Sequence, residues 1–104
     1  DPKTTYKNLE NILIHLKKNK IPTMLIGMKA PSNLGKEYVN QFNSIYPSLS
    51  KKYDVIFYPF FLKDVALMPV FNQRDMIHPN KKGVGKIVEN IYPYFLRFYK
   101  SLLK

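Results

Sequence analysis

The residues of this sequence best suited to chemistry are an aspartate and a histidine three positions apart, Asp75 and His78. In a loop, an aspartate at this spacing can fold back so that its carboxylate accepts the imidazole Nδ1 proton, which fixes the tautomer and leaves Nε2 free to act as a base. Those are two of the three members of a hydrolase triad. A solvated loop histidine or a helix-capping aspartate is the alternative interpretation. The location favours catalysis, because the motif follows the last predicted strand, at the edge where α/β folds place their active sites, and precedes a helix.

Helices are predicted on both sides of this motif. Apolar residues at helical spacing predict one helix around residues 6–16 and a second around residues 38–49. The single further histidine, His15, is expected to be a surface or packing residue of the first helix. A third helix is predicted from Pro79, with the proline in the first turn, and Pro93 should kink or restart it before an aromatic tail helix.

Two short apolar runs, residues 23–28 and 55–58, predict buried parallel strands. Residues 59–73 mix aromatic residues, methionine and proline, which predicts a long loop with one short helical turn around residues 62–66. Strands that alternate with helices indicate the α/β class and a parallel sheet with right-handed crossovers. Since two strands do not make a sheet that can stand alone, we expect the fold to be truncated on its N-terminal side.

Composition limits the other function classes. The chain has 104 residues, a net charge of +10 and no cysteine, which excludes disulfides and thiolate metal sites. The positive charge is spread along the chain and rich in lysine, so we expect no nucleic-acid partner. The apolar stretches are far shorter than the roughly 20 residues of a membrane span, so no integral membrane segment is expected.

Several separated motifs resemble, in the same order, those of the SGNH (GDSL-type) hydrolases, within the acyl-CoA thioesterase I and arylesterase group. The segments that carry the resemblance are residues 28–35 with the helix that follows, residues 54–61, residues 75–80 with Gly83, and residues 87–93. The resemblance covers essentially the whole chain. It implies that residues 1–104 are the C-terminal portion of a single domain, a flavodoxin-like three-layer fold with its N-terminal strands missing.

The resemblance also implies roles for residues. His78 would deprotonate a serine and later protonate the leaving group, while Asp75 would orient the imidazole. Met28, Lys29, Ala30 and Pro31 match the loop that lines the acyl groove in this family. The family's nucleophile lies in a Gly-Asp-Ser motif, a setting that none of the serines of this chain has, namely Ser32, Ser44, Ser48, Ser50 and Ser101.

The expected function is therefore that of part of a serine esterase or thioesterase, with the 104-residue chain inactive on its own. The expected partners are a small acyl ester or thioester substrate and the missing N-terminal part of the domain. No metal or cofactor is implied, and the family resemblance suggests a bacterial periplasmic or secreted location. The alternative is a small basic interaction module that keeps a hydrolase-derived fold without catalysis.

Overall fold

A computed structural model of the protein describes residues 1–103, which form two compact units, Asp1–Pro59 and the residues from Phe60 onward. The chain contains three α-helices and one sheet of two parallel strands within the described residues. The α/β class with two parallel strands is therefore confirmed.

The N-terminal unit contains two helices and the sheet. Helix α1 spans Pro2–Lys18, strand β1 Met24–Ile26, helix α2 Lys36–Lys52 and strand β2 Ile56–Tyr58. The strands pair in parallel with Leu25 opposite Phe57, and α2 packs against both of them. The predicted burial of β1 is only partly correct, because Leu25 is buried whereas Ile26 is exposed.

The core of this unit lies between the two helices. Leu13 of α1 meets Ile45 and Leu49 of α2, and all three are nearly inaccessible to solvent. A polar contact links the same helices, because Glu10 accepts hydrogen bonds from Lys52 Nζ and from the hydroxyl of Tyr53, both at 2.7 Å. These bonds lower the pKa of Glu10. Apolar spacing in the sequence predicted both helices because burial of these faces is what stabilises them.

The C-terminal unit begins with turns over residues 61–67, followed by a 3₁₀ turn over Pro69–Phe71 and by helix α3 over Lys81–Ser101. The short helical turn predicted at residues 62–66 corresponds to the hydrogen bonds that the Val65 and Ala66 N–H groups donate to Leu62 O, both at 2.9 Å. Helix α3 packs against the 3₁₀ turn.

The start predicted for α3 at Pro79 is wrong, and so is a restart of the helix at Pro93. Pro79 does not begin the helix but pairs with Asn72 in an antiparallel bridge, and Asn80 is the N-cap because its side chain accepts a hydrogen bond from Gly83 N. Pro93 does not interrupt the helix. Pro93 and Glu89 are both exposed, so the carbonyl that proline deprives of its helical partner can bind water.

One side of α3 carries a row of half-exposed apolar residues. This α3 stripe consists of Val84, Val88, Tyr92, Phe95 and Tyr99, whose spacing of three or four residues places them on one face. The helix is amphipathic, and no helix within residues 1–103 is long and apolar enough to cross a membrane.

Candidate active site

Asp75 and His78 lie in the loop between the 3₁₀ turn and α3, and their side chains are in contact. Asp75 Oδ2 is 2.7 Å from His78 Nδ1. Because Asp75 is ionised at neutral pH, Nδ1 carries the proton and donates it to the carboxylate, and Nε2 is then the unprotonated nitrogen of the neutral ring. This is the arrangement in which a histidine is oriented to act as a general base.

The second oxygen of Asp75 is bound by the backbone of the same loop. Asp75 Oδ1 accepts hydrogen bonds from the N–H of Ile77 at 2.9 Å and the N–H of His78 at 3.0 Å. The hydrogen bond from the His78 ring and these two backbone bonds favour the charged carboxylate and lower the pKa of Asp75 to about 2. Asp75 is therefore a carboxylate throughout the neutral range.

The backbone at Met76 makes this wrapping possible. Met76 has a φ of 58°, in the left-handed region, and its N–H donates to Gln73 O at 2.9 Å. The turn brings the two following N–H groups around to the Asp75 carboxylate. A residue with a Cβ is strained in this conformation, so the loop adopts its geometry with an unfavourable contribution from the backbone of Met76.

The base of the loop is closed by backbone hydrogen bonds. Gln73 N donates to His78 O at 2.8 Å, and Asn80 N donates to Phe71 O at 2.9 Å. Close packing continues at Gly83, where an added Cβ would lie 2.1 Å from Phe71 O. A short antiparallel pairing therefore joins the two ends of the Asp75–His78 loop.

The predicted substrate-binding residues belong to the N-terminal unit, directly after β1. Met28 and Ala30 are half-buried, whereas Lys29 and Pro31 are exposed. The N–H of Ala30 donates to the side chain of Asn43 on α2 at 2.8 Å, which fixes this segment to the helix. The structure thus brings Asp75 and His78 together and places residues 28–31 in the other unit.

Sequence reasoning missed two asparagines, Asn72 and Asn80, that hold the base of the loop. Asn72 Nδ2 donates to Val65 O at 2.7 Å and to Met68 O at 2.9 Å. Asn80 could have been recognised, because asparagine is a preferred N-cap residue before an apolar helical pattern. Nothing in the sequence marks Asn72, since its role depends on which carbonyl groups the turns bring within reach.

Three of the serine hydroxyls in the helices are bound to their own backbone. Ser44, Ser50 and Ser101 each donate to the carbonyl three residues earlier. Within residues 1–103 there is also no group of three or more His, Asp or Glu side chains that could hold a metal ion.

Comparison with known proteins places this chain in a family. The chain is 39% identical over 80 residues to the thioesterase 1/protease 1/lysophospholipase L1 of Escherichia coli K12, an alignment that covers 77% of this chain and 38% of that protein. It is 31% identical over 88 residues to an arylesterase of Vibrio mimicus, which covers 85% of this chain and 44% of the relative. No protein-family model matches the sequence.

A solved structure agrees with these relatives. The crystal structure of AlinE4, an SGNH-hydrolase family esterase, superposes with a TM-score of 0.69 at 41% identity, and the match covers 93% of this chain and 51% of that one. The chain thus spans about half the length of the proteins that it matches or less. Sequence and fold together establish that the chain belongs to the SGNH hydrolase family and corresponds to the C-terminal portion of its members.

Proposed function

We propose that Asp75 and His78 are two members of a Ser-His-Asp triad that hydrolyses acyl esters or thioesters. The observation that carries this proposal is the 2.7 Å contact between Asp75 Oδ2 and His78 Nδ1, made by a carboxylate whose other oxygen is already bound by two backbone N–H groups. An aspartate held in this way orients the imidazole and stabilises its charged form.

The proposed reaction has two half-reactions. His78 Nε2 removes the proton of a serine hydroxyl as its oxygen attacks the acyl carbonyl, and then donates that proton to the departing alcohol or thiol. Water, deprotonated by the same nitrogen, then attacks the acyl-serine, and His78 returns this proton to the serine oxygen as the acid is released. The serine would come from a segment homologous to the part of the relatives that this chain does not match.

The loop at residues 28–31 is the proposed contact for the acyl chain. It contributes the apolar side chains of Met28, Ala30 and Pro31 directly after a strand, together with the cationic Lys29. The bond from Ala30 N to Asn43 holds the backbone of this loop, which suits a surface that must keep its shape for a substrate.

The proposed triad can be tested by adding a segment that contains the nucleophilic serine. A homologous segment with Gly-Asp-Ser is fused before Asp1, and hydrolysis of short p-nitrophenyl esters is measured. We expect the fusion to hydrolyse the ester and the unfused chain to show no turnover above buffer. His78→Ala should remove nearly all turnover, and Asp75→Asn, which permits the wrong tautomer, should lower kcat by up to about 10⁴-fold. The two losses should not add, because both residues serve one proton transfer.

The matched control is His15→Ala, which removes the exposed histidine of α1 and should leave turnover unchanged. If the folded fusion hydrolyses esters but is indifferent to Asp75→Asn, Asp75 is only a residue that shapes the loop. If it folds without any esterase activity, the non-catalytic interaction module is the better description.

A further inference from the structure

The contact between Asp75 and His78 is exposed to solvent, so burial does not hold the two side chains in place. The side chain of His78 is 70% exposed and that of Asp75 is 42% exposed. Side-chain pairs at such exposure contribute little to stability because water competes for both partners. The relative position of the two groups must therefore be set by the backbone that carries them.

That backbone is anchored by the side chain of Asn80, two residues after His78. Asn80 Nδ2 donates to Val70 O at 3.0 Å and to Asn72 O at 3.2 Å, while Oδ1 accepts from Gly83 N at 2.9 Å. The half-buried amide of Asn80 therefore joins the segment that leaves the loop to the segment that enters it and to the first turn of α3.

The segment on the other side of the loop is itself anchored. Asn72 is buried, and its side chain is bound to two carbonyl groups of the preceding turns. The bond from Asn80 to Asn72 O thus connects the end of the loop to a part of the unit that is already fixed. Asn90, on the same helix, makes a comparable pair of bonds to Lys63 O and Asp64 Oδ2, well away from the loop in sequence.

We propose that Asn80 is a positioning residue for the Asp75–His78 pair. Its side-chain nitrogen, through the bonds to Val70 O and Asn72 O, keeps His78 within hydrogen-bonding distance of Asp75. This role is separate from that of its side-chain oxygen, which caps α3. A positioning role for Asn80 rests on the proposed function of that pair, whereas the hydrogen bond between the Asp75 and His78 side chains can be measured in this chain whatever its function.

The test is Asn80→Ser, studied in the 104-residue chain by NMR. Serine keeps an oxygen that can cap α3 but lacks the amide that reaches Val70 O and Asn72 O. We expect far-UV circular dichroism to show α3 retained, while the ring-nitrogen shifts of His78 move toward those of the exposed His15. The protonation midpoint of Asp75 should rise toward the ordinary aspartate range. Hydrolysis is not measured, so the result is independent of whether the chain belongs to an active esterase.

The matched control is Asn90→Ser, which makes the same chemical change on the same helix. It should leave the His78 ring and the Asp75 midpoint unchanged. The proposal is overturned if the His78 signals of folded Asn80→Ser match those of the unsubstituted chain, or if both serine variants shift them equally.

Should Asn80→Ser fail to fold, the coupling can be measured in the other direction with Asp75→Asn, a change at an exposed side chain. Coupling between two sites is reciprocal. Weakening the pair should therefore move the side-chain amide signals of Asn80 toward those of the exposed Asn33 and leave those of Asn90 in place. Unchanged Asn80 signals would overturn the proposal.

Discussion

The hydrogen bonds around Asp75 favour its charged form. Its pKa is lowered to about 2, so the stabilisation from its hydrogen bonds is present above the ordinary aspartate pKa and is lost as the pH falls through about 2. We expect the carboxyl carbon signal of Asp75 to titrate near that pH in an NMR series. In His78→Ala the midpoint should rise but stay below the ordinary range, because the two backbone donors remain. His15→Ala is the control, and a midpoint indifferent to His78→Ala would contradict the assigned cause.

Backbone strain in the same loop can be measured by substituting Met76. At a φ of 58° a Cβ is unfavourable, whereas glycine adopts this conformation freely. Met76→Gly should therefore be more stable than Met76→Ala by about 1 kcal/mol in denaturant unfolding, the reverse of the usual order. Since both variants lack the methionine side chain, their difference isolates the backbone term. An alanine variant as stable as the glycine variant would show that the loop relaxes out of the left-handed region.

The first two turns of α3 contain two glycines with opposite surroundings. A Cβ at Gly83 would lie 2.1 Å from the backbone carbonyl of Phe71, whereas a Cβ at Gly85 meets nothing within 4 Å. Gly83→Ala should lower the free energy of unfolding by about 1–3 kcal/mol through overpacking. Gly85→Ala should raise it by about 0.5–1 kcal/mol through helix propensity. Equal effects of the two substitutions would show that α3 does not approach Phe71 this closely.

The elements were predictable where local chemistry decides them. Apolar spacing predicted the helices, and the contact between Asp75 and His78 was predicted from the types and spacing of the two residues. The predicted strand at residues 23–28 is longer than the observed Met24–Ile26, because ladder pairing depends on a partner that the segment itself does not contain. Helix α3 continues through Pro93, where the proline removes only one backbone hydrogen bond of the helix. The role of Asn72 required the folded turns to be known.

In the whole molecule, the α3 stripe and the net charge have opposite effects on self-association. Five half-exposed apolar side chains in a row favour association, while a charge of +10 favours separation. We expect concentration-dependent self-association in sedimentation experiments, stronger when added salt screens the charges. Val88→Ser with Phe95→Ser should weaken it, and Ser101→Ala, which lies off the stripe, should not. A monodisperse monomer at all concentrations and salt levels would contradict this expectation.

The hydrogen bonds around the Asp75–His78 loop join residues no more than ten positions apart, the longest being that from Asn80 to Val70. Contacts of such short separation close quickly, on the order of 10–100 ns for a loop of about 10 residues. The Asp75–His78 pair can therefore form early in folding, before distant parts of a sheet have found one another. In a hydrolase assembled around this segment, the general base would be in place first, and the slow step would be the arrival of the nucleophile at a base already oriented to receive its proton.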